Sequence, residues 1–167
     1  MNASYSEQEI IRRTSLDKLI SYGINPFPAA SFTVNSYSLD ILNSYKENQE
    51  VVIAGRLMRK KIQGKASFGT IQDSKGRIQV YFNRDELCKT EDKSLYNDVF
   101  KKLLDLGDFI GVEGVLFKTK VGEITIKATK ITILSKSLKP LPLPKTDKEG
   151  KVHDAFTNPE MRYRQRY

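Results

Sequence analysis

Phe68 is the only aromatic residue in the run AGRLMRKKIQGKASFGTIQ (54–72), and it stands among Lys60, Lys61 and Lys65. Shortly after it, Arg77, Gln79 and Tyr81 alternate with Ile78, Val80 and Phe82, the two-residue period of a strand with one buried and one exposed face. An exposed face carrying a cation, an amide and an aromatic ring offers charge to a phosphate, a donor–acceptor pair to a base edge and a π-surface to a base. The chemistry open to these residues is the binding of single-stranded nucleic acid. Gln79, with one acceptor and two donors on its amide, can meet a base edge that sets a donor beside an acceptor.

Catalytic and metal chemistry find no comparable set of residues. His153 is the only histidine and Cys88 the only cysteine, so no multi-histidine metal site and no internal disulfide can form, and no motif pairs that histidine with a serine as in a Ser–His relay. Gly64, Gly69, Gly111 and Gly114 are not spaced as a phosphate-binding loop. The acidic pairs Asp85/Glu86 and Glu91/Asp92 read as a solvated loop after the third strand. A net charge of +8 over 167 residues favours a polyanionic partner. No segment approaches the length of a membrane span, and the polar start MNASYSEQE is no secretory signal, so a reducing, cytoplasmic location is expected.

The elements that must position these residues follow from the pattern. Ser6 and Glu9 form a capping box, Leu16, Leu19 and Ile20 stand at helical spacing, and Gly23 with Pro26 ends the run, which predicts a helix over 6–22. Its Arg12, Arg13 and Lys18 either hold RNA or form a solvated face. A second, short helix is predicted over 38–46. Strands are predicted over 50–62, 66–72 and 77–83, with Gly55 marking a bend or bulge in the first and Asp73-Ser74-Lys75-Gly76 as a turn. A four-residue loop there pairs Gln72 with Arg77, Thr70 with Gln79, Phe68 with Tyr81 and Ile71 with Ile78. A helix over 94–106, with Leu95, Val99, Leu103 and Leu106 on one side, precedes strands over 108–118 and 123–134. In the last strand Ile124, Ile126, Ile131 and Ile133 read as core and Glu123, Thr125 and Lys127 as outward. The order β1-β2-β3-α-β4-β5, preceded by an N-terminal helix, is that of the OB-fold, an all-β barrel with flanking helices that binds oligonucleotides on one face. A helical extension is therefore expected over 1–48, the barrel over 49–135, and a Pro-rich, charged connector to a further domain over 136–167.

Seven blocks carry a more specific likeness: LISYGINPFP (19–28), AGR (54–56), GKASF (64–68), GRIQV (76–80), LGD (106–108), KTKVGE (118–123) and RYRQRY (162–167). Through them nearly the whole chain resembles the N-terminal part of class II lysyl-tRNA synthetases of the bacterial type. The sister aspartyl and asparaginyl enzymes share the fold but generally lack GKASF and RYRQRY. The resemblance implies an anticodon-binding domain for lysine tRNA, with its UUU or CUU anticodon. The phenylalanine matching Phe68 stacks on the central uracil, the glutamine matching Gln79 hydrogen-bonds it, and the acid matching Glu123 reads the first anticodon position. A basic residue matching Lys61 assists. Many relatives have arginine there, and a lysine keeps the charge without the planar fork. Lys60, Lys65, Arg77, Tyr81, Arg12 and Arg13 are expected as backbone or supporting contacts. The resemblance further implies a parent enzyme that uses ATP and Mg²⁺ and forms a homodimer, while this piece needs no cofactor, is inactive alone and is open to being a monomer. Two other readings stand beside it: a sequence-neutral single-strand binder using the same face, and a scaffold in which RNA binding is incidental.

Overall fold

The computed structural model describes residues 5–28, 30–141, 145–146, 150, 152–153, 159 and 163. The RYRQRY block, apart from Tyr163, and most of the expected connector lie outside them.

Helix α1 spans Glu7–Ser21 and starts with the reciprocal capping box, the Ser6 hydroxyl accepting from Glu9 N while the Glu9 carboxylate accepts from Ser6 N. Leu19 is buried, but Ile20, expected on the same face, is 57% exposed. Helix α2 is shorter than expected, Ser38–Asn43. Five strands follow: β1 Glu50–Gln63, β2 Ala66–Gln72, β3 Arg77–Asn83, β4 Phe109–Lys118 and β5 Ile124–Ser135. They close into a ring in the order β1-β2-β3-β5-β4. Closure requires β1 to serve two neighbours, β4 through Arg56 and β2 from Arg56 onward. Gly55 sits at that change of partner, where an added Cβ would lie 2.4 Å from the Gln72 carbonyl oxygen. The bulge expected at Gly55 falls later, where the register steps from Leu57↔Ile71 to Arg59↔Thr70 and leaves Met58 unpaired.

Val51, Ile53, Leu57, Ile71, Ile78, Val80, Phe82, Ile110, Val112, Leu116 and Ile126 fill the ring, the inward halves of alternating strands. Ile133 is also buried, while Ile124 and Ile131 are only partly so. The Asp73 carboxylate ties the β2–β3 turn to α2, accepting from Ser38 N and Ser38 Oγ and from Lys75 N and Gly76 N. Arg84–Leu87 forms a short helix α3, capped by the Asn83 side chain. Asp85 and Glu86 therefore sit in a helix and not in a solvated loop. Glu86 reaches β5 and pairs with Lys127 at 2.6 Å.

The helix between β3 and β4 spans Leu95–Leu103 and is π-helical, with Leu104 N donating to Val99 O, five residues back. Its wider turn changes the buried face from the expected Leu95, Val99, Leu103 and Leu106 to Tyr96, Val99, Phe100 and Leu103. The Phe100 ring lies 4.4 Å from Phe82, and Tyr96 Oη and Ser67 Oγ lie 2.7 Å apart, so this helix packs against the inner face of the sheet. Two-residue strands β6 (Lys145–Thr146) and β7 (Val152–His153) pair antiparallel. Among the described residues no helix is long and apolar enough to cross a membrane.

Candidate nucleic-acid interface

Strand pairing arranges the outward side chains in cross-strand rungs. Lys61 faces Phe68, Phe68 faces Tyr81, and Tyr81 faces Lys127; one step along, Arg59 faces Thr70, Thr70 faces Gln79, and Gln79 faces Thr125. The β2–β3 pairings are those read from the four-residue turn. Rungs two residues apart on one face are about 7 Å from each other, so an aromatic rung and a polar rung lie side by side.

Between these rungs and the β4–β5 turn is an open groove of about 350 Å³. Arg59, Lys61, Gln63, Phe68, Gly69, Thr70, Gln79, Thr119, Val121 and Glu123 line it. Phe68, Gln79, Glu123 and Lys61, spread over 63 positions of sequence, are thus brought to one concavity. Phe68 is half-buried, its ring 5.1 Å from Tyr81 and tilted by 53°. Tyr81 in turn lies edge-on to Phe117 at 6.0 Å. One flank of Phe68 is therefore braced by aromatic packing while the groove side stays open, which is how a stacking platform is held. Glu123 is exposed and, among the described residues, makes no ion pair. Lys127, one of its conceivable partners, is engaged by Glu86. The Glu123 amide donates to Thr119 Oγ1 at 3.1 Å, which holds the turn. Gln79 Nε2 donates to Thr125 Oγ1 at 3.0 Å. Thr125, expected outward, is completely buried, because the Gln79 amide lies over its hydroxyl.

Several expected contacts lie elsewhere. The bulge at Met58 inverts the alternation of β1: Val51, Ile53 and Leu57 are buried before it, whereas Arg59 and Lys61 are exposed after it. Lys60 is consequently turned away from the groove. Its ammonium donates to the carbonyls of Phe100, Lys101 and Leu104, closing the C-terminal end of the π-helix. Burial holds the Lys60 pKa below its ordinary value, against the opposing pull of Asp105 and Asp108. Arg12 is also buried, and its guanidinium donates to Leu106 O and Ser137 O at 2.9 Å each. It fastens α1 to the barrel and does not face a ligand. Arg13 stacks over Tyr5 at 4.0 Å. Arg77 Nε donates to Gln72 Oε1 at 2.8 Å, one rung beyond the groove. Lys65 is exposed in the β1–β2 turn but does not line the groove.

Arg59 and Val121 line the groove without having been singled out in the sequence. Arg59 could have been found from its two-residue spacing to Lys61, had the position of the bulge been legible. Val121, 88% exposed at the tip of the β4–β5 turn, carried no signal beyond its place in a turn.

The Lys60 contacts give an expected result. Lys60→Met removes a buried ammonium from three carbonyls and lowers stability by about 1.5–3 kcal/mol, read as a fall in melting temperature. The salt dependence of RNA binding stays as in the parent chain, because the ammonium never meets the groove. The unfolded chain holds the Lys60 proton more tightly, so parent stability gains from this group as pH rises from the depressed folded pKa toward 10.5. That slope is absent from Lys60→Met, which a pH series of urea melts checks.

With this geometry in view, the comparisons with known proteins are direct. The family model of the tRNA anti-codon OB-fold nucleic acid binding domain matches residues 51–134. The chain belongs to that family. Lysine–tRNA ligase of Christiangramia forsetii is 63% identical over 162 residues, covering 97% of this chain and 28% of the relative. The lysine–tRNA ligases of Porphyromonas gingivalis W83 and Azobacteroides pseudotrichonymphae are 51% and 52% identical, again over 97% of this chain and over 29% and 33% of their own lengths. The resemblance drawn from the sequence blocks is borne out. The chain spans a third or less of the curated relatives it matches.

Proposed function

We propose that this chain is the anticodon-binding region of a lysine–tRNA ligase, with residues 49–135 as the RNA-binding module, 1–48 as a helical extension and 136–167 as the connector to a catalytic domain. The observation that carries it is the single groove lined by Phe68, Gln79, Glu123 and Lys61. Phe68 stacks on the central base, Gln79 hydrogen-bonds it, Glu123 reads the first anticodon base, and Lys61 and Arg59 supply positive charge. The whole enzyme attaches lysine to its tRNA using ATP and Mg²⁺, in the cytoplasm and as a homodimer. Among the described residues no cluster of three or more His, Cys, Asp or Glu could hold a metal ion, so no step of that chemistry is assigned to them.

The role of Glu123 explains a particular tolerance. Lysine codons end in A or G, so the first anticodon base is U or C. An ionised carboxylate only accepts. Uracil offers it N3–H and cytosine offers N4–H at similar reach, whereas a purine places its donor farther out. One acid thereby serves both pyrimidines. Binding of stem-loops carrying each of the four bases at the first position tests this. Glu123→Gln weakens the two pyrimidine-first stem-loops by about 5- to 10-fold and narrows discrimination against the purine-first ones. An unchanged ranking would make Glu123 a bystander. Equal affinity of the parent chain for lysine and anticodon-scrambled stem-loops would favour a sequence-neutral single-strand binder.

A further inference from the structure

Gln79 has two ends that look alike in outline and opposite in chemistry: Oε1 accepts, Nε2 donates. Which end faces a base decides which base is preferred. Uracil presents a donor at N3, cytosine a bare acceptor at the same atom. A freely rotating glutamine would serve either, so something must hold the amide if Gln79 is to discriminate.

The groove floor contains such a device. Thr125 lies beneath Gln79 on the neighbouring strand, in register with it, and is wholly shut off from water. Its hydroxyl donates to the backbone carbonyl of Glu123 at 3.2 Å. A hydroxyl has one hydrogen, so toward Gln79 the Thr125 oxygen acts as an acceptor. It receives the Gln79 Nε2–H at 3.0 Å. The chain of bonds runs one way, from the Gln79 amide N–H to the Thr125 oxygen and from the Thr125 O–H to the Glu123 carbonyl. Reversing the amide would force the Thr125 hydroxyl to turn toward Oε1 and give up its bond to the Glu123 carbonyl, or else would set two acceptors against each other; either way a hydrogen bond around the buried Thr125 oxygen is lost. Among the described residues nothing donates to Gln79 Oε1, which is the end left for a ligand.

We infer that Thr125 is a positioning residue, fixing the Gln79 amide with its carbonyl oxygen toward the groove and thereby setting a preference for uracil over cytosine at the second anticodon base. The inference rests on the anticodon-binding reading above. With Oε1 presented, uracil N3–H finds an acceptor, whereas cytosine N3 meets a second lone pair. The carbonyl oxygens of uracil are left to the donors Arg59 and Lys61, which line the same groove. The same hydroxyl grips the backbone of Glu123, so the readers of the first and second bases share one buried tie.

The test uses the intact chain and lysine anticodon stem-loops with U or C at the second position. The parent chain and Thr125→Ser, which keeps the hydroxyl, prefer U. Thr125→Val keeps the shape and removes the hydroxyl, freeing the amide to rotate. The U-over-C ratio then narrows by about 2- to 12-fold, the worth of one hydrogen bond, with cytosine binding gained as well as uracil binding lost. Simple destabilisation would weaken both stem-loops equally and leave the ratio alone. A measurement independent of folding in the variant is the nitrogen-resolved NMR spectrum of the parent chain. One Gln79 side-chain amide proton is expected to exchange slowly and to be set apart from its partner, unlike those of solvated glutamines. An unchanged ratio in folded Thr125→Val, or a Gln79 amide indistinguishable from solvated ones, overturns the inference. If the parent chain does not prefer the lysine stem-loop to a scrambled one, the anticodon-binding reading falls, while the amide spectrum still decides what Thr125 does to Gln79.

Discussion

Phe68→Ala is expected to weaken binding of a lysine anticodon stem-loop by about 5- to 150-fold, the equivalent of about 1–3 kcal/mol for loss of one base–aromatic stack. The melting temperature changes little, because the Phe68 ring stands half-buried on the outer face, beside Tyr81 at 5.1 Å, and takes no part in the core. The contrast with a core phenylalanine is quantitative. Phe82, fully buried and packed on Phe100, would cost about 3–5 kcal/mol as alanine. Titration and thermal melting on the same two preparations separate the cases. A large fall in melting temperature for Phe68→Ala, with binding lost only in proportion to unfolding, would assign Phe68 to the core and remove the stacking role.

The largest expected effect on stability comes from residues that do not line the groove. Lys136 and Asp108 are both wholly buried as side chains and paired at 2.9 Å, with Asp105 also on the Lys136 ammonium. Asp108 additionally accepts from the backbone N–H groups of Asp105 and Ser137 at 2.8 Å. This carboxylate, the last residue of the LGD block, joins the start of β4 to the exit from β5. Burial pushes its pKa above the ordinary carboxylate value even though Lys136 and the two amides oppose the rise. Lys136→Met strands the carboxylate without its counter-charge, and the expected loss is about 3–5 kcal/mol, a fall in melting temperature on the order of 10 °C. The sign with pH follows from the raised pKa. Between the unfolded and folded values the native state holds the Asp108 proton more tightly, so the variant recovers stability as pH falls through that window. Adding Asp108→Asn to Lys136→Met should restore part of the loss, since both charges are then gone. Losses that simply added would show that the two residues do not act as a pair.

The order of the five ring strands, the capping box at Ser6, the β2–β3 register and the shared face of Phe68, Gln79 and Tyr81 were all legible from local patterns. Each depends on neighbours a few residues away, through strand alternation, a short turn or an N-cap, and so each is written in consecutive residues. Lys61 lies opposite Phe68 across the short β1–β2 turn, but Glu123 could be joined to that face only by the resemblance, because no local rule relates the β4–β5 turn to β3. Ring closure relates them: β5 runs parallel to β3 and beside it, and β1 bends from β4 to β2.

What local reading missed has the same origin. Lys60 and Lys61 are adjacent lysines with indistinguishable sequence signals, yet one closes a π-helix and the other lines the groove. The unpaired Met58 decides between them by reversing the alternation, and a bulge of one residue has no compositional mark in a run of cations. Arg12 read as an RNA contact or a solvated helix cation until Leu106 and Ser137 supplied carbonyls 94 and 125 positions away. Thr125 looked like an outward strand residue until Gln79 was laid over it. The sequence by itself determined which residues share a strand face and what chemistry those faces can offer. Only the tertiary structure decided which polar atoms meet water and which meet one another, because burial and hydrogen-bond partnership are set by chain segments that close on each other across the ring.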